Sequence, residues 1–308
     1  MSGINSYIDD FLDYLEIEKN RSPKTIENYA HYLARFTEFA NEGRQRFSPA
    51  HITLPVVRKY RLYLNHAKDH QGQPLKLITQ NYHIIALRAF LKFLAKQDVK
   101  TLPAEKIELS RISERQVDFL SPDELESIFA AVPHNNKIDT LRDLVILIVL
   151  FSTGLRVSEL INLKRKHIDL KRGEFMVRGK GDKPRVVFLS IEARNLLDKY
   201  FRQRTDNAEA VFIAHAGPTQ HQPLTARSIQ RIVQKYATAA GIAKKVTPHI
   251  LRHSFATDLL INGADIRSVQ AMLGHSSITT TQIYTHITNK QLKEVHRAFH
   301  NRRKNSKN

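Results

Sequence analysis

Cysteine is absent from the 308 residues, which excludes both disulfides and thiolate metal sites. Long apolar runs are absent as well. The longest, Leu144 to Phe151, falls far short of the ~20 residues a membrane-spanning helix needs, and it follows the charged Arg142 and Asp143, so it reads as part of a buried core helix. The stretch from Met1 to Asp10 is polar and carries acids, unlike a secretory signal. No internal repeat is evident, and low complexity is confined to the tail from Asn301 to Asn308. These absences predict a soluble cytoplasmic protein. Acidic residues are also scarce: 30 Asp and Glu stand against 48 Lys and Arg, a formal net charge of +18. That excess is the electrostatic footprint of a protein that meets a polyanion, nucleic acid before any other, with a ribosome-associated protein or a basic solubility bias as the plainer alternatives.

What is present is mostly helical in pattern, over a length that suffices for two domains. Ile8, Phe11, Leu12 and Leu15 fall at i, i+3, i+4 and i+7, and Ser22-Pro23 then supplies an N-cap with proline at the first helical position. Tyr29, Leu33 and Phe36 continue this second helix. Ser48-Pro49 signals a third, over Val56 to Leu64, and a fourth runs from about Thr79 to Ala95. The spacing thus predicts a four-helix amino-terminal domain over residues 1–97. Residues 98–115 show no sustained periodicity and contain Pro103, the pattern of an exposed interdomain linker. A second domain, 116–300, opens with Ser121 and Glu124 as a capping box. It is mainly α, with one small antiparallel β-hairpin expected from Glu174–Arg178 and Arg185–Leu189 around a glycine-flanked tip at Lys180. A further helix, about 289–300, carries Leu292, Val295 and Phe299 on one stripe, and a basic tail occupies 301–308.

The second domain holds a set of side chains suited to a phosphate: Arg156, Lys180, His249, Arg252 and His275, followed by Tyr284, a residue type that can attack one. No thiol, paired carboxylate or glycine-rich phosphate cradle competes with this set. Gly154 can end the core helix in the left-handed conformation and turn Arg156 outward, although an i, i+3 pair with Glu159 would equally explain that arginine. Lys180 between glycines is a mobile proton donor or a plain solvated turn residue. Thr247 as N-cap and Pro248 at N1 place His249 in a first helical turn, where backbone N–H groups favour an anion, with Arg252 three residues on. His253 lies one turn from His249, so a metal pair is conceivable, but the flanking arginine fits a phosphate better. Gly274 closes a helix just before His275, and Tyr284 sits among threonines.

The ordered set Arg156, Lys180, His249-x-x-Arg252, His275, Tyr284 comes with the phrases Thr-Gly-Leu-Arg-x-Ser-Glu-Leu, Leu-Arg-His-Ser-Phe-Ala-Thr, Leu-Gly-His and Ile-Tyr-Thr-His. Together they resemble the tyrosine recombinase (phage integrase) family, and most closely its compact Xer-type members. The resemblance spans essentially the whole chain, the amino-terminal part being similar to the family's SAM-like core-binding domain. It implies a C-shaped clamp around duplex DNA, with Tyr284 as nucleophile forming a 3'-phosphotyrosyl bond and Arg156 and Arg252 holding the phosphate oxygens. Lys180 would then be the acid to the leaving oxygen, and His249 and His275 the phosphate's other partners, His249 accepting the phenolic proton. Neither cofactor nor metal ion is implied, since arginines bring the charge that a metal would bring. Further implications are a tetramer on two DNA sites assembled through the terminal helix, possibly with a paralogous recombinase, and work on the nucleoid. Arg21, Lys24, Arg58, Lys59, Arg88 and Lys92 are candidate DNA contacts. The expected role is resolution of chromosome or plasmid dimers, the chain lacking an arm-binding domain before Ile4. The alternatives are a mobile-element integrase, a type IB topoisomerase-like nicking and closing enzyme, and a DNA-binding protein without catalysis. Tyr236 and Tyr200 are the alternative nucleophiles.

Overall fold

A computed structural model describes residues 3–41, 47–69, 71–112, 118–179 and 184–274. Lys180, His275, Tyr284, the helix expected at about 289–300 and the tail lie outside the described residues. The chain divides into two compact units, Met1–Glu114 and Arg115–Asn308. Among the described residues no helix is long and apolar enough to cross a membrane.

The first unit is built from α1 (Ile4–Ile17), α2 (Pro23–Asn41), α3 (Leu54–His66) and α4 (Leu77–Lys96). Each turns one apolar stripe inward. Ile8, Phe11 and Leu15 meet Leu33 and Phe36, Val57, Tyr60 and Leu64, and Ile84, Leu87, Leu91 and Leu94 in one buried core. The core is aromatic in its middle: the Phe11 ring lies 5.4 to 6.4 Å from those of Tyr14, Tyr29, Phe90 and Phe93, distances at which edge and offset contacts add to plain burial. α2 begins where Ser22-Pro23 predicts, with the Thr25 N–H donating to the Ser22 hydroxyl.

Two stretches differ from expectation. Ser48-Pro49 opens only a short 3-10 turn, Pro49–His51, because the Ser48 N–H donates to Nδ1 of His51 and the chain then extends at Ile52. The third helix restarts after Thr53 with a proline of its own, Pro55. Residues 98–112 are not simply an exposed connection. A 3-10 turn at Ala104–Lys106 puts Ala104 and Ile107 on one side, where both are buried in the first core. Beyond that turn the Asn81 side chain fixes the backbone at Ser110, donating to its carbonyl at 2.8 Å and accepting from its N–H at 3.2 Å.

The second unit contains α5 (Pro122–Ala130), α6 (Ile138–Thr153), α7 (Val157–Ile161), β1 (Glu174–Arg178), β2 (Pro184–Phe188), α8 (Ile191–Gln203), α9 (Ala226–Ala239), α10 (Pro248–Ile261) and α11 (Ile266–Leu273). The capping box at Ser121 forms in both directions, the Ser121 N–H to Glu124 Oε2 at 2.8 Å and the Glu124 N–H to Ser121 Oγ at 3.2 Å. α6 is the centre: Val145 to Leu150 are all buried, so it is apolar around most of its girth. β1 and β2 pair antiparallel from Glu174 opposite Phe188 to Arg178 opposite Pro184. The hairpin packs Phe175, Val177 and Val187 into the core and leaves Met176, Val186 and Phe188 exposed. The strand pattern alternates accordingly.

Candidate active site

The site grows from the end of α6. Gly154 takes φ +60°, and a Cβ there would stand 2.4 Å from Phe255 and 2.9 Å from Leu273, so a side chain is excluded by conformation and by space. The chain turns, and Arg156 becomes the extended N-cap residue of α7. Its backbone N–H donates to Glu159 Oε2 at 2.8 Å, its Nη1 to Glu159 Oε1 at 2.9 Å and its Nη2 to the Gly274 carbonyl at 3.2 Å. The i, i+3 pair with Glu159 is therefore present, and it serves to aim an arginine whose side chain stays 31% exposed.

Arg252 approaches from α10 and is nearly sealed, at 3% exposure. Its Nη1 donates to the Gly154 carbonyl and its Nη2 to the Leu273 carbonyl, each at 2.6 Å. Arg156 and Arg252 thus grip the ends of α6 and α11 together, which brings residues 96 positions apart in sequence to one place. These are helix C-termini, where carbonyls lack intrahelical partners and the dipole is negative, so each guanidinium finds acceptors there.

α10 begins as its sequence predicts, with the Thr247 hydroxyl accepting from the Ile250 N–H and Pro248 in the first turn. His249 sits in that turn and is exposed. Its Nε2 lies 2.9 Å from Nε2 of buried His253, and the two rings meet edge to face at 4.3 Å. One of these nitrogens donates and the other accepts, and no group of three metal-ligand side chains occurs among the described residues. Partial burial first, then the charges of Arg252 and Arg156, hold the His249 pKa below the ordinary histidine value. His249 is therefore neutral at neutral pH and able to accept a proton.

The sequence does not single out Arg185, and it offers Glu159 only as a local i, i+3 partner of Arg156. Glu159 is the carboxylate under Arg156, and Arg185 on β2 holds it from the other side, Nη1 to Oε1 at 2.7 Å and Nη2 to Oε2 at 2.8 Å. Burial opposes ionisation of Glu159, but the bonds from Arg185 and from the Arg156 N–H prevail and keep its pKa low. The one signal was the position of Arg185, five residues past Lys180 at the hairpin tip.

Tyr200 and Tyr236 are unsuited to attack anything. Both are buried, the Tyr200 hydroxyl bonded to His215 at 2.9 Å and the Tyr236 hydroxyl donating to Asp143 at 3.0 Å. Burial pushes the Tyr200 phenol up to about 12 and raises that of Tyr236. In the first unit Arg21, Arg58 and Lys59 are exposed, Lys24 pairs with Glu27 at 2.7 Å and Lys92 with Glu105 at 3.5 Å. The Nε of half-buried Arg88 has no hydrogen-bond partner among the described residues.

Comparison with known proteins shows the family. The profile described as "Phage integrase family" matches residues 118–291, and the one described as "Phage integrase, N-terminal SAM-like domain" matches residues 8–98. The chain is 36% identical over 300 residues to "Tyrosine recombinase XerC" of Listeria monocytogenes serotype 4a (strain HCC23), covering 95% of this chain and 96% of that protein. It is 35% identical over 303 residues to "Tyrosine recombinase XerD" of Oceanobacillus iheyensis (strain DSM 14371 / CIP 107618 / JCM 11309 / KCTC 3954 / HTE831), covering 96% and 98%. Among solved structures, XerH site-specific recombinase bound to palindromic difH substrate, in a post-cleavage complex, superposes with a TM-score of 0.71 at 25% identity, over 94% of this chain and 83% of that one.

Proposed function

The chain belongs to the phage integrase family of tyrosine recombinases and is a site-specific recombinase that cleaves and rejoins DNA; we propose how its own residues carry the reaction. Duplex DNA bearing a specific site is the substrate. Tyr284 attacks the scissile phosphorus in line, a P–O bond to the phenolic oxygen forms, and the bond to the 5'-oxygen breaks. The product is a 3'-phosphotyrosyl strand end and a 5'-hydroxyl, and the reverse reaction rejoins strands with no external energy source.

Arg156 and Arg252 bind the non-bridging oxygens, where negative charge concentrates in the transition state. An unperturbed phenol ionises near ~10, so the proton needs an acceptor, and His249, kept neutral by its neighbours, takes it. Lys180 protonates the leaving 5'-oxygen, and His275 donates to the phosphate. The observation that carries the reading is the convergence of Arg156, Arg252 and His249 at the joined ends of α6 and α11 and the start of α10.

Around this centre, residues 1–97 act as the core-binding domain and 116–300 as the catalytic domain. Arg21, Lys24, Arg58, Lys59, Arg88 and Lys92 contribute phosphate contacts and hence salt dependence. Four subunits act on two sites, joined through the segment 289–300, and the reaction resolves chromosome or plasmid dimers on the nucleoid, alone or with a paralogous recombinase. Removing residues 289–308 leaves binding to a single site and abolishes pairing of two, as gel-shift and synapsis assays would register; unchanged pairing contradicts the assembly.

The test of the chemistry is incubation with a nicked suicide DNA carrying the site. A covalent protein–DNA adduct forms with the natural chain and disappears in Tyr284→Phe. An adduct that persists in that variant overturns the assignment.

A further inference from the structure

We infer that Arg185 is a positioning residue of the cleavage step: it fixes the Glu159 carboxylate that aims Arg156, and it fastens strand β2 to the end of α11. The inference rests on the reading of Arg156 as a phosphate-binding group.

The Glu159 carboxylate accepts four hydrogen bonds. Arg156 supplies two, from its backbone N–H at 2.8 Å and its Nη1 at 2.9 Å, and Arg185 supplies the other two, from Nη1 at 2.7 Å and Nη2 at 2.8 Å. Four is about the full accepting capacity of a carboxylate, so Glu159 has no freedom to turn. The pair is not a solvated surface contact: the side chains of Arg185 and Glu159 are 8% and 5% exposed.

Arg185 makes a third bond, from Nε to the Met272 carbonyl at 2.9 Å. The three carbonyls that close α11 are thereby divided among three arginines: Met272 to Arg185, Leu273 to Arg252 and Gly274 to Arg156. Guanidinium groups this close repel, and the negative end of the helix dipole with the Glu159 charge holds them together. Gly274 is shaped to this contact, since a Cβ on it would stand 3.1 Å from Cδ of Arg185. A planar guanidinium can set Nη1 and Nη2 against the two oxygens of one carboxylate while Nε serves a carbonyl beside it; lysine at this position keeps the charge and loses the fork.

Without Arg185, half of the bonds to Glu159 vanish in a nearly dry place. The carboxylate then competes for the Arg156 guanidinium with both oxygens, drawing it from the Gly274 carbonyl and from the phosphate. DNA binding, spread over many phosphate contacts, is little affected, whereas the rate of cleavage falls.

The experiment uses the full chain, a nicked suicide DNA and four proteins: the natural chain, Tyr284→Phe, Arg185→Ala and Arg185→Lys. Single-turnover adduct formation, DNA Kd and thermal melting are measured for each. The inference expects a rate about 100-fold lower in Arg185→Ala at saturating protein, comparable with loss of a preorganised donor, and a Kd within about threefold of the natural chain. Added guanidinium ion at millimolar concentration restores part of that rate, which a collapsed fold does not permit, and Arg185→Lys stays slow while melting normally. An alanine variant within about threefold of the natural rate overturns the inference, as does a loss matched by the fall in folded fraction or affinity and unmoved by guanidinium. Should the alanine variant not fold, the lysine variant decides, and a natural rate in it is equally fatal. Failure of the underlying reading looks different: no adduct with the natural chain, or an adduct that survives Tyr284→Phe.

Discussion

The second unit buries arginines in two places, and it treats them differently. Away from the site, Arg142 is matched by Asp139 at 2.8 Å and Asp143 at 2.7 Å, and Arg204 by both oxygens of Asp206, with the carbonyls of Ile213, Ala210 and Val211 taking remaining N–H groups. Every such guanidinium has at least one carboxylate of its own. At the joined ends of α6 and α11, Arg156 and Arg185 divide the single carboxylate of Glu159, and Arg252 is gripped by two backbone carbonyls. Two guanidiniums that share one carboxylate leave positive charge in excess there, so the first arrangement is a strut and the second is suited to an anion. The lesson is that burial of a cation does not mark function; the imbalance of its partners does.

The comparison can be broken at its structural half first. Arg142→Met takes from buried Asp143 its nearer cation, leaving Lys235 at 3.9 Å, and lowers stability by about 3–5 kcal/mol in chemical denaturation, while the cleavage rate per folded molecule stays natural. A rate that falls in the folded fraction would erase the distinction between the two clusters. At the other half, Arg252→Lys keeps one positive charge but cannot span the Gly154 and Leu273 carbonyls. Cleavage falls by about 10²–10³, equivalent to ~2.7–4 kcal/mol of transition-state stabilisation, with a much smaller change in melting.

These partners explain what the sequence discloses and what it hides. The starts of α2 and α10, the capping box at Ser121 and the left-handed ends at Gly154 and Gly274 are all set by residues within three or four positions of one another, so their signals are local. Arg156, His249 and Arg252 are legible for the same reason, each sitting beside such a signal. Glu159 as a shared anchor and Arg185 as its second holder depend on a pairing across 26 residues, and no short motif records it. Ser48-Pro49 shows the opposite error: a genuine start signal, cut short after one turn by His51.

The first unit offers a third way of burying a titratable group, with no countercharge among the described residues. His83 is 1% exposed among Tyr32, Tyr60 and Arg35, and burial, then the Arg35 charge, lowers its pKa to about 4. The unfolded chain, with an ordinary histidine near ~6.5, binds the proton first. Stability is therefore fully present above that pH and declines as pH falls toward 4, by about 3 kcal/mol in all. Hydrogen exchange of the α4 amides in the full chain, compared with His83→Phe, checks this; an equal pH dependence in the variant would remove His83 from the account.

A smaller effect separates His249 from an ordinary histidine. Its pKa is lowered, so the neutral form persists as the solution is acidified, and the acidic limb of the cleavage rate lies below ~6.5. The limb disappears in His249→Asn, leaving a slow, flat profile. A limb at or above the ordinary histidine value in the natural chain would mean that neither burial nor the arginine charges act on this ring.

The most direct measurement is the chemical identity of the DNA-bearing residue. The adduct formed on nicked suicide DNA in the presence of EDTA is digested with trypsin and the nucleotide-linked peptide sequenced by mass spectrometry. The account predicts the modification on Tyr284, in the peptide between Arg267 and Lys290. Attachment at any other residue, or an adduct that forms only when a divalent cation is supplied, contradicts it.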